Sequence, residues 1–346
     1  MDFSLSSDHT TIADLARQIF RDQVSDSYLA DSPSNPDTAL WKVLGEAGLI
    51  GLSLSEAASG SGMDFIAECL VLQEMGHVLA PVPLRETLLA AWALDQAGQH
   101  EVLRDVVAGD TYLALNLGDG PAHIDGLLSG TLPHVPYAEG AARVVTVAGE
   151  QLVAFDPSDS GVSITQERTT SGRPAATLQL QNVAVTPLGD AELTRCLKQR
   201  LQIATAALQL GVAEEALQRT AAYTTERKQF NKPIAAFQAV SHRAANGYID
   251  IEALRAVLDG AMWRISAGLD ATLQAGATRW WACEMSHRVS HTAQHLHGGI
   301  GADLEYPIHR YFLWAKQLEF DLGGAGQQLA AMGEHLAQTP GSGITL

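Results

Sequence analysis

A mainly α protein of the α+β class, made of a helical domain, a small β domain and a second helical bundle, is what this sequence predicts. Three observations point there. Apolar residues recur at helical spacing through residues 1–110. From Thr111 to about Pro187 the pattern changes to short runs of period-two alternation punctuated by Gly, Pro and Asp. Helical spacing returns after Asp190 and lasts almost to the end. The boundaries are therefore 1–110 for an N-terminal helical domain, 111–188 for a middle β domain (barrel or sandwich) and 189–346 for a C-terminal four-helix bundle.

In the first segment, Ile12–Val24 places Ile12, Leu15, Ile19 and Phe20 on one helix face, before a breaker run from Asp31 to Pro36. Ala39–Ala47 reads as a helix stopped by Gly48, and Ala58–Met63 as a Gly/Ser loop. Phe65–Leu79, Leu84–Ala97 and His100–Val107 complete the domain. Tyr112–Leu117, Arg143–Val147, Gln151–Phe155 and Thr177–Val185 read as strands of a mainly antiparallel sheet. Glu192–Thr225, Ala236–Ala267, Ala271–His295 and Tyr306–Gln338 then read as long antiparallel helices, the last broken at Gly323–Gly324.

Composition narrows the function. Of 346 residues 46% are hydrophobic, enough for a large core, and the formal net charge is -17. So acidic a surface repels phosphate backbones and anionic lipid, which argues against nucleic-acid and membrane-surface roles. Apolar stretches stop well short of the ~20 residues a spanning helix needs. The opening MDFSLSSDHT has neither a basic segment nor an apolar signal core, so the chain reads as cytoplasmic. Cys69, Cys196 and Cys283 are odd in number and far apart, which suits reduced thiols and neither a disulfide framework nor a zinc site. His287, His291 and His295 stack at every fourth residue, but only Glu284 has ligand spacing to them, and no metal is expected.

Two segments stand out. Glu226–Ile234 (ERKQFNKPI), running into Phe237 and Gln238, is a breaker-rich loop with three positive charges in an acidic chain. His297-Gly-Gly-Ile-Gly301, followed by Glu305-Tyr-Pro307, offers free backbone amides to a phosphate. In this order on a bundle, they resemble the acyl-CoA dehydrogenase family, whose patterns are R-x-x-F-G-x-P/L-I then Gln, Q-x-H/F-G-G-x-G, and E-Y-P. Trp41–Leu52 and Glu74–Pro81 look like that family's N-terminal helical signatures, so the resemblance spans nearly the whole chain. It implies FAD as cofactor, an acyl-CoA substrate, electron-transfer flavoprotein as acceptor, and an oligomer in which these motifs reach the nucleotide end of a neighbour's FAD. Matched position by position, the FAD-binding residues would be Arg227, Phe230, Gln238, His295, His297, Gly298, Gly299 and Gly301. Asn231 stands where the family has glycine, and His295 where it has glutamine, with Gln294 one place earlier.

The catalytic part of the pattern is missing. The two positions at which the family carries its carboxylate base fall on Leu322 and Leu201. The Asp and Arg that contact substrate are matched by Gln199 and Gln202. No counterpart of the flavin-contacting T-E-P-x-x-G-S-D and W-I-T segments is found in Leu113–Ala122 or Gly130–Tyr137. The chain thus resembles the partner subunit of heteromeric actinobacterial acyl-CoA dehydrogenases that act on steroid side-chain CoA esters. Two alternatives stay open: a homomeric dehydrogenase with a relocated base, Asp321 or Glu319, and a scaffold or binding protein that kept the fold without the flavin.

Overall fold

A computed structural model describes residues 3–31, 36–118, 120–124 and 126–339. Its elements, in order, are α1 (Ser7–Gln23), α2 (Asp26–Asp31), α3 (Thr38–Glu46), α4 (Phe65–Val78), α5 (Leu84–Gln96) and α6 (Leu103–Val107). Then come β1 (Leu113–Asn116), β2 (Ala122–Ile124), β3 (Leu127–Pro136), β4 (Arg143–Ala148), β5 (Gln151–Phe155), β6 (Val162–Glu167), β7 (Ala175–Ala184) and β8 (Thr186–Gly189). Last are α7 (Ala191–Glu226), β9 (Lys228–Gln229), β10 (Lys232–Pro233), α8 (Gln238–Ser266), α9 (Thr272–His297), α10 (Ile308–Phe320) and α11 (Ala325–Gln338). The helix–sheet–helix order matches the expected class. Residues 32–35 of the expected breaker run lie outside the described residues.

Contacts divide the chain into two compact units. One holds Met1–Asp31, Cys69–Ala80 and Gln202–Leu346, the other Ser32–Glu68 and Pro81–Leu201, so α4 and α7 contribute to both.

The unit with the strands contains two four-stranded sheets, ordered β1-β4-β5-β8 and β2-β3-β7-β6. Every pair is antiparallel except β1 with β4. Their inner faces meet in a core that includes Leu128, Leu132, Val135, Val144, Val153, Phe155, Leu178, Leu180 and Val183. The β7 alternation slips by one between Leu180 and Val183, where Asn182 adopts φ +54°. Asp37 caps α3 by accepting from the Ala39 and Leu40 amides at 2.8 and 3.0 Å, and Trp41 Nε1 donates to the Thr111 carbonyl at 2.9 Å.

A buried charge in this unit has a measurable consequence. Glu68 on α4 is 1% exposed; the Ser53 hydroxyl donates to it and the Arg200 guanidinium lies 4.0 Å away. Arg200 in turn sits over the rings of Trp92 and Phe65, 4.1 and 4.7 Å from their centroids. Burial outweighs Arg200 and Ser53 and pushes the Glu68 carboxyl up to about 7. A carboxyl whose folded pKa is raised contributes stability fully below its unfolded value and loses it as pH rises through the folded one. Between pH 5 and 7.5 the protein is therefore expected to lose stability relative to Glu68→Gln, a difference read from urea midpoints of both proteins across that range. Parallel curves would refute it.

In the other unit α4 crosses α7 at glycines. A Cβ at Gly211 would fall 1.9 Å from the Gln73 carbonyl oxygen, and one at Gly76 would fall 2.4 Å from that of Leu208. Further along the same pair, His77 lies between Glu74 (3.0 Å) and Glu214 (2.8 Å). Burial lowers the imidazole's affinity for its proton, but the two carboxylates outweigh it and hold His77 at about 9, charged at neutral pH. Arg279 of α9 is wholly buried and donates to Gln209 and to the Leu318 and Glu319 carbonyls (2.5 and 3.2 Å), tying α9 to α7 and to the last turn of α10. The expected final helix is two helices: α10 ends at Phe320, Gly323 adopts φ +80°, and α11 starts at Ala325.

Candidate functional site

The first conspicuous segment lies between α7 and α8. The β9 and β10 strands pair as a hairpin whose two turn residues, Phe230 and Asn231, have φ +53° and +66°. That is the backbone of a type I′ turn, which asparagine tolerates and phenylalanine rarely adopts. The strain places Phe230 in solvent at 87% exposure, with its ring edge-on to Phe237 at 6.2 Å. The Ile234 amide donates to the Arg227 carbonyl at 2.8 Å and closes the hairpin. Arg227 is exposed, and among the described residues no hydrogen bond or ion pair occupies its guanidinium. Gln238, also exposed, opens α8, where the helix N-terminus favours an anion.

The second segment ends α9. Gly298 has φ +61° and ψ −138°, a conformation open essentially to glycine alone, and Cβ atoms built on Gly298 and Gly299 would meet nothing within 4 Å. Those two glycines are exposed, as is His295. Gly301 is buried against Gln294, whose Oε1 a Cβ there would strike. His297 faces inward at 3% exposure and stacks on Tyr223 with centroids 4.5 Å apart and an interplanar angle of 19°. Its Nδ1 lies 2.8 Å from the Ala293 carbonyl, which only accepts, so Nδ1 carries the proton. Burial lowers the His297 pKa, and the ring is neutral.

The two segments are thus joined from below. Tyr223, one turn before Arg227 on α7, contacts both His297 and Tyr306, the latter at 6.1 Å; His297 and Tyr306 are 5.3 Å apart. Tyr306 belongs to the Glu305-Tyr-Pro307 motif, whereas Tyr223 was not singled out from the sequence, although an aromatic one turn before a basic loop was a signal for it. Open glycine amides, an uncommitted guanidinium and a presented aromatic ring fit the pyrophosphate and adenine of a dinucleotide.

The expected base positions look different. Leu201 is buried and Leu322 half-buried. Gln328 Nε2 donates to the Leu322 carbonyl at 2.8 Å and accepts, through Oε1, from Gln202 Nε2 at 3.2 Å. Gln202, matched to a substrate-binding arginine, is engaged within the bundle. Glu319 is 9% exposed and held by Lys316 Nζ at 2.7 Å, which also donates to His287 at 2.9 Å. Asp321 accepts from Gln317 Nε2 at 2.7 Å. Glu319 is thus committed to Lys316 and, at 3.3 Å, to His287 of α9, and Asp321 to Gln317. Removing either charge, as Glu319→Gln or Asp321→Asn, is therefore expected to leave FAD content and turnover of the assembled protein within about twofold of the parent; a loss of turnover above a hundredfold would restore that residue as a base. The His287 and His291 rings meet at a 44° tilt with centroids 4.6 Å apart, and among the described residues no three His, Cys, Asp or Glu side chains converge as metal ligands.

Comparison with known proteins decides the family. Residues 6–109 match the acyl-CoA dehydrogenase N-terminal domain and residues 194–337 match the acyl-CoA dehydrogenase C-terminal domain. The chain belongs to the acyl-CoA dehydrogenase family. Among its curated relatives, acyl-CoA dehydrogenase FadE27 of Mycobacterium tuberculosis is 37% identical, covering 88% of this chain and 89% of that protein. FadE28 of the same organism is 29% identical, covering 98% and 100%. Among solved structures, a steroid acyl-CoA dehydrogenase, Tcur3481–Tcur3483, superposes with TM-score 0.92 at 39% identity, covering 97% of this chain and 99% of that one. The ChsE4–ChsE5 complex of M. tuberculosis superposes with TM-score 0.92 at 35% identity, covering 98% and 100%. Acyl-CoA dehydrogenases are oxidoreductases acting on CH–CH donors and use FAD. Among the described residues no helix is long and apolar enough to cross a membrane.

Proposed function

We propose that this chain is the partner subunit of a heteromeric acyl-CoA dehydrogenase and completes the FAD site of a catalytic partner. One observation carries the reading. Arg227, Phe230, Gln238, Gly298 and Gly299 are retained and exposed, while both base positions hold leucine and the nearby carboxylates are tied to lysine and glutamine. Arg227 would offer its fork to the pyrophosphate, the Gly298 and Gly299 amides would donate to the same group, and Phe230 would present a ring to the adenine. Gln238 and His295 flank that position. His297 and Gly301 would hold the turn from beneath through Tyr223 and Gln294.

FAD, when bound, supplies the acceptor for the hydride that leaves the substrate's β-carbon. The base for the α-proton would come from the partner. Two structural relatives, a steroid acyl-CoA dehydrogenase and a two-chain complex, favour a steroid side-chain CoA thioester as substrate and a hetero-oligomer as the working form. Electron-transfer flavoprotein is the acceptor in this reading, and the cytoplasm its place.

The test is the visible spectrum of the chain alone and of its purified complex, before and after acyl-CoA thioesters are added. The expected result is a colourless chain alone and a complex holding one FAD per two chains. A yellow chain whose flavin bleaches with acyl-CoA on its own would overturn the proposal in favour of a homomeric enzyme.

A further inference from the structure

The first half of α8 is short of packing. Its C-terminal half buries Ile251, Leu254, Leu258, Ala261 and Met262, but between Gln238 and Asp250 Gly247 is the one buried residue, among the described residues. Isolated helices are marginal in water, and most helical stability comes from a packed apolar face. Here two large apolar side chains, Tyr248 and Ile249, are instead 59% and 62% exposed. They stand on the rim of a cavity of about 790 Å³ within the bundle unit.

The long walls of that cavity are one face each of α7 and α8, the two helices that carry the Arg227–Gln238 hairpin, and Arg17 of α1 with Gln73, Glu74 and His77 of α4 line the rest. At the hairpin end the wall is low and apolar: Leu217 and Ala221 on α7 face Ala244 and Ala245 on α8. Small residues let another helix approach closely. At the other end the charges are already matched. Arg17 pairs with Glu74, Glu74 and Glu214 with His77, and Glu214 with Arg255, which also meets Glu252. A groove whose charges satisfy each other asks for an apolar occupant. From Ala244 to Arg255 it runs about 16 Å along α8, about three turns of helix.

We infer that this groove seats a helix of the catalytic subunit, a second acyl-CoA dehydrogenase-fold chain less acidic than this one. The inference rests on the heteromeric reading and names the surface it uses. The groove begins at Ala221 and Ala244, each six positions from an end of the hairpin assigned to the partner's FAD, so one partner reaches both. A second copy of this chain suits the groove less well, because it brings another net charge of -17 to the contact.

The test uses the purified complex with a photoreactive benzoylphenylalanine placed at position 248. Irradiation is expected to crosslink it to a helix of a second acyl-CoA dehydrogenase chain, identified by peptide mass. Crosslinks confined to this chain, to another copy of it, or to a protein of a different fold would overturn the inference. A second measurement uses Ala245→Trp and Tyr248→Arg, both at exposed positions. These should weaken complex formation about tenfold or more with the circular dichroism of the chain unchanged, and undiminished assembly in both would refute the groove. Arg227→Ala separates this inference from the function proposed above: it should lose FAD but keep the crosslink. If it retains FAD and the crosslink persists, the loop assignment fails and the docking surface stands.

Discussion

Arg227→Ala is expected to weaken FAD binding by the assembled protein about tenfold to a hundredfold, the value of losing charge-assisted hydrogen bonds to a phosphate. The structure makes the substitution clean. Arg227 is exposed and its guanidinium serves no partner among the described residues, so the change removes the proposed ligand contact and little else. The hairpin is closed by its backbone, through the Ile234 amide, and survives the truncation. Flavin absorbance per mole of protein, followed through an FAD titration after gel filtration, reads the effect. Arg227→Lys should recover part of it, since an ammonium keeps the charge but not the planar fork. Equal FAD affinity in parent and alanine variant would remove the loop from the nucleotide site.

Gly211→Ala should be strongly destabilising for a change of one methyl group. The added Cβ would lie 1.9 Å from the Gln73 carbonyl oxygen, and backbone cannot rotate away as a side-chain tip does. The two helices must separate, and with them goes the contact that aligns His77 between its two carboxylates. A loss of about 3 kcal/mol is expected, at the upper end for overpacking. The control is Gly333→Ala on α11, where a Cβ meets nothing within 4 Å and a helix-favouring residue should be neutral or slightly stabilising. Matched urea midpoints for the two variants would contradict the crossing.

The long helices were legible because their apolar spacing survives over many turns: the expected Glu192–Thr225 is α7, Ala191–Glu226, to within a residue at each end. Strands were read where short apolar runs sit between turn residues, as in Arg143–Val147 and Gln151–Phe155, which are buried almost throughout. Those missed break the rule for physical reasons. β3 carries Gly130 and Pro133 and two register shifts, β6 exposes Ile164 to solvent, and β8 is an edge strand that contains Pro187. α2 is six residues long with no buried residue to mark it.

At the site, Arg227, Phe230, Gln238 and the glycine turn were legible as motifs. The Tyr223–His297 stack was not, since it joins residues 74 positions apart. His297 was expected among the cofactor contacts; its inward rotation depends on packing that no spacing reveals. Phe230 shows the reverse. The family's glycine is absent at residue 231, yet Asn231 holds the left-handed turn geometry, so the loop's shape outlasts the loss of the motif letter.

Glu68 has a consequence beyond the stability curve. Near pH 6 its carboxyl is mostly ionised in the unfolded chain and mostly protonated in the folded one, so folding consumes a proton from the medium. The heat measured when this protein folds must then include the heat of taking that proton from the buffer. Two buffers with different ionisation enthalpies should report different calorimetric values for the same transition, and the gap should narrow in Glu68→Gln.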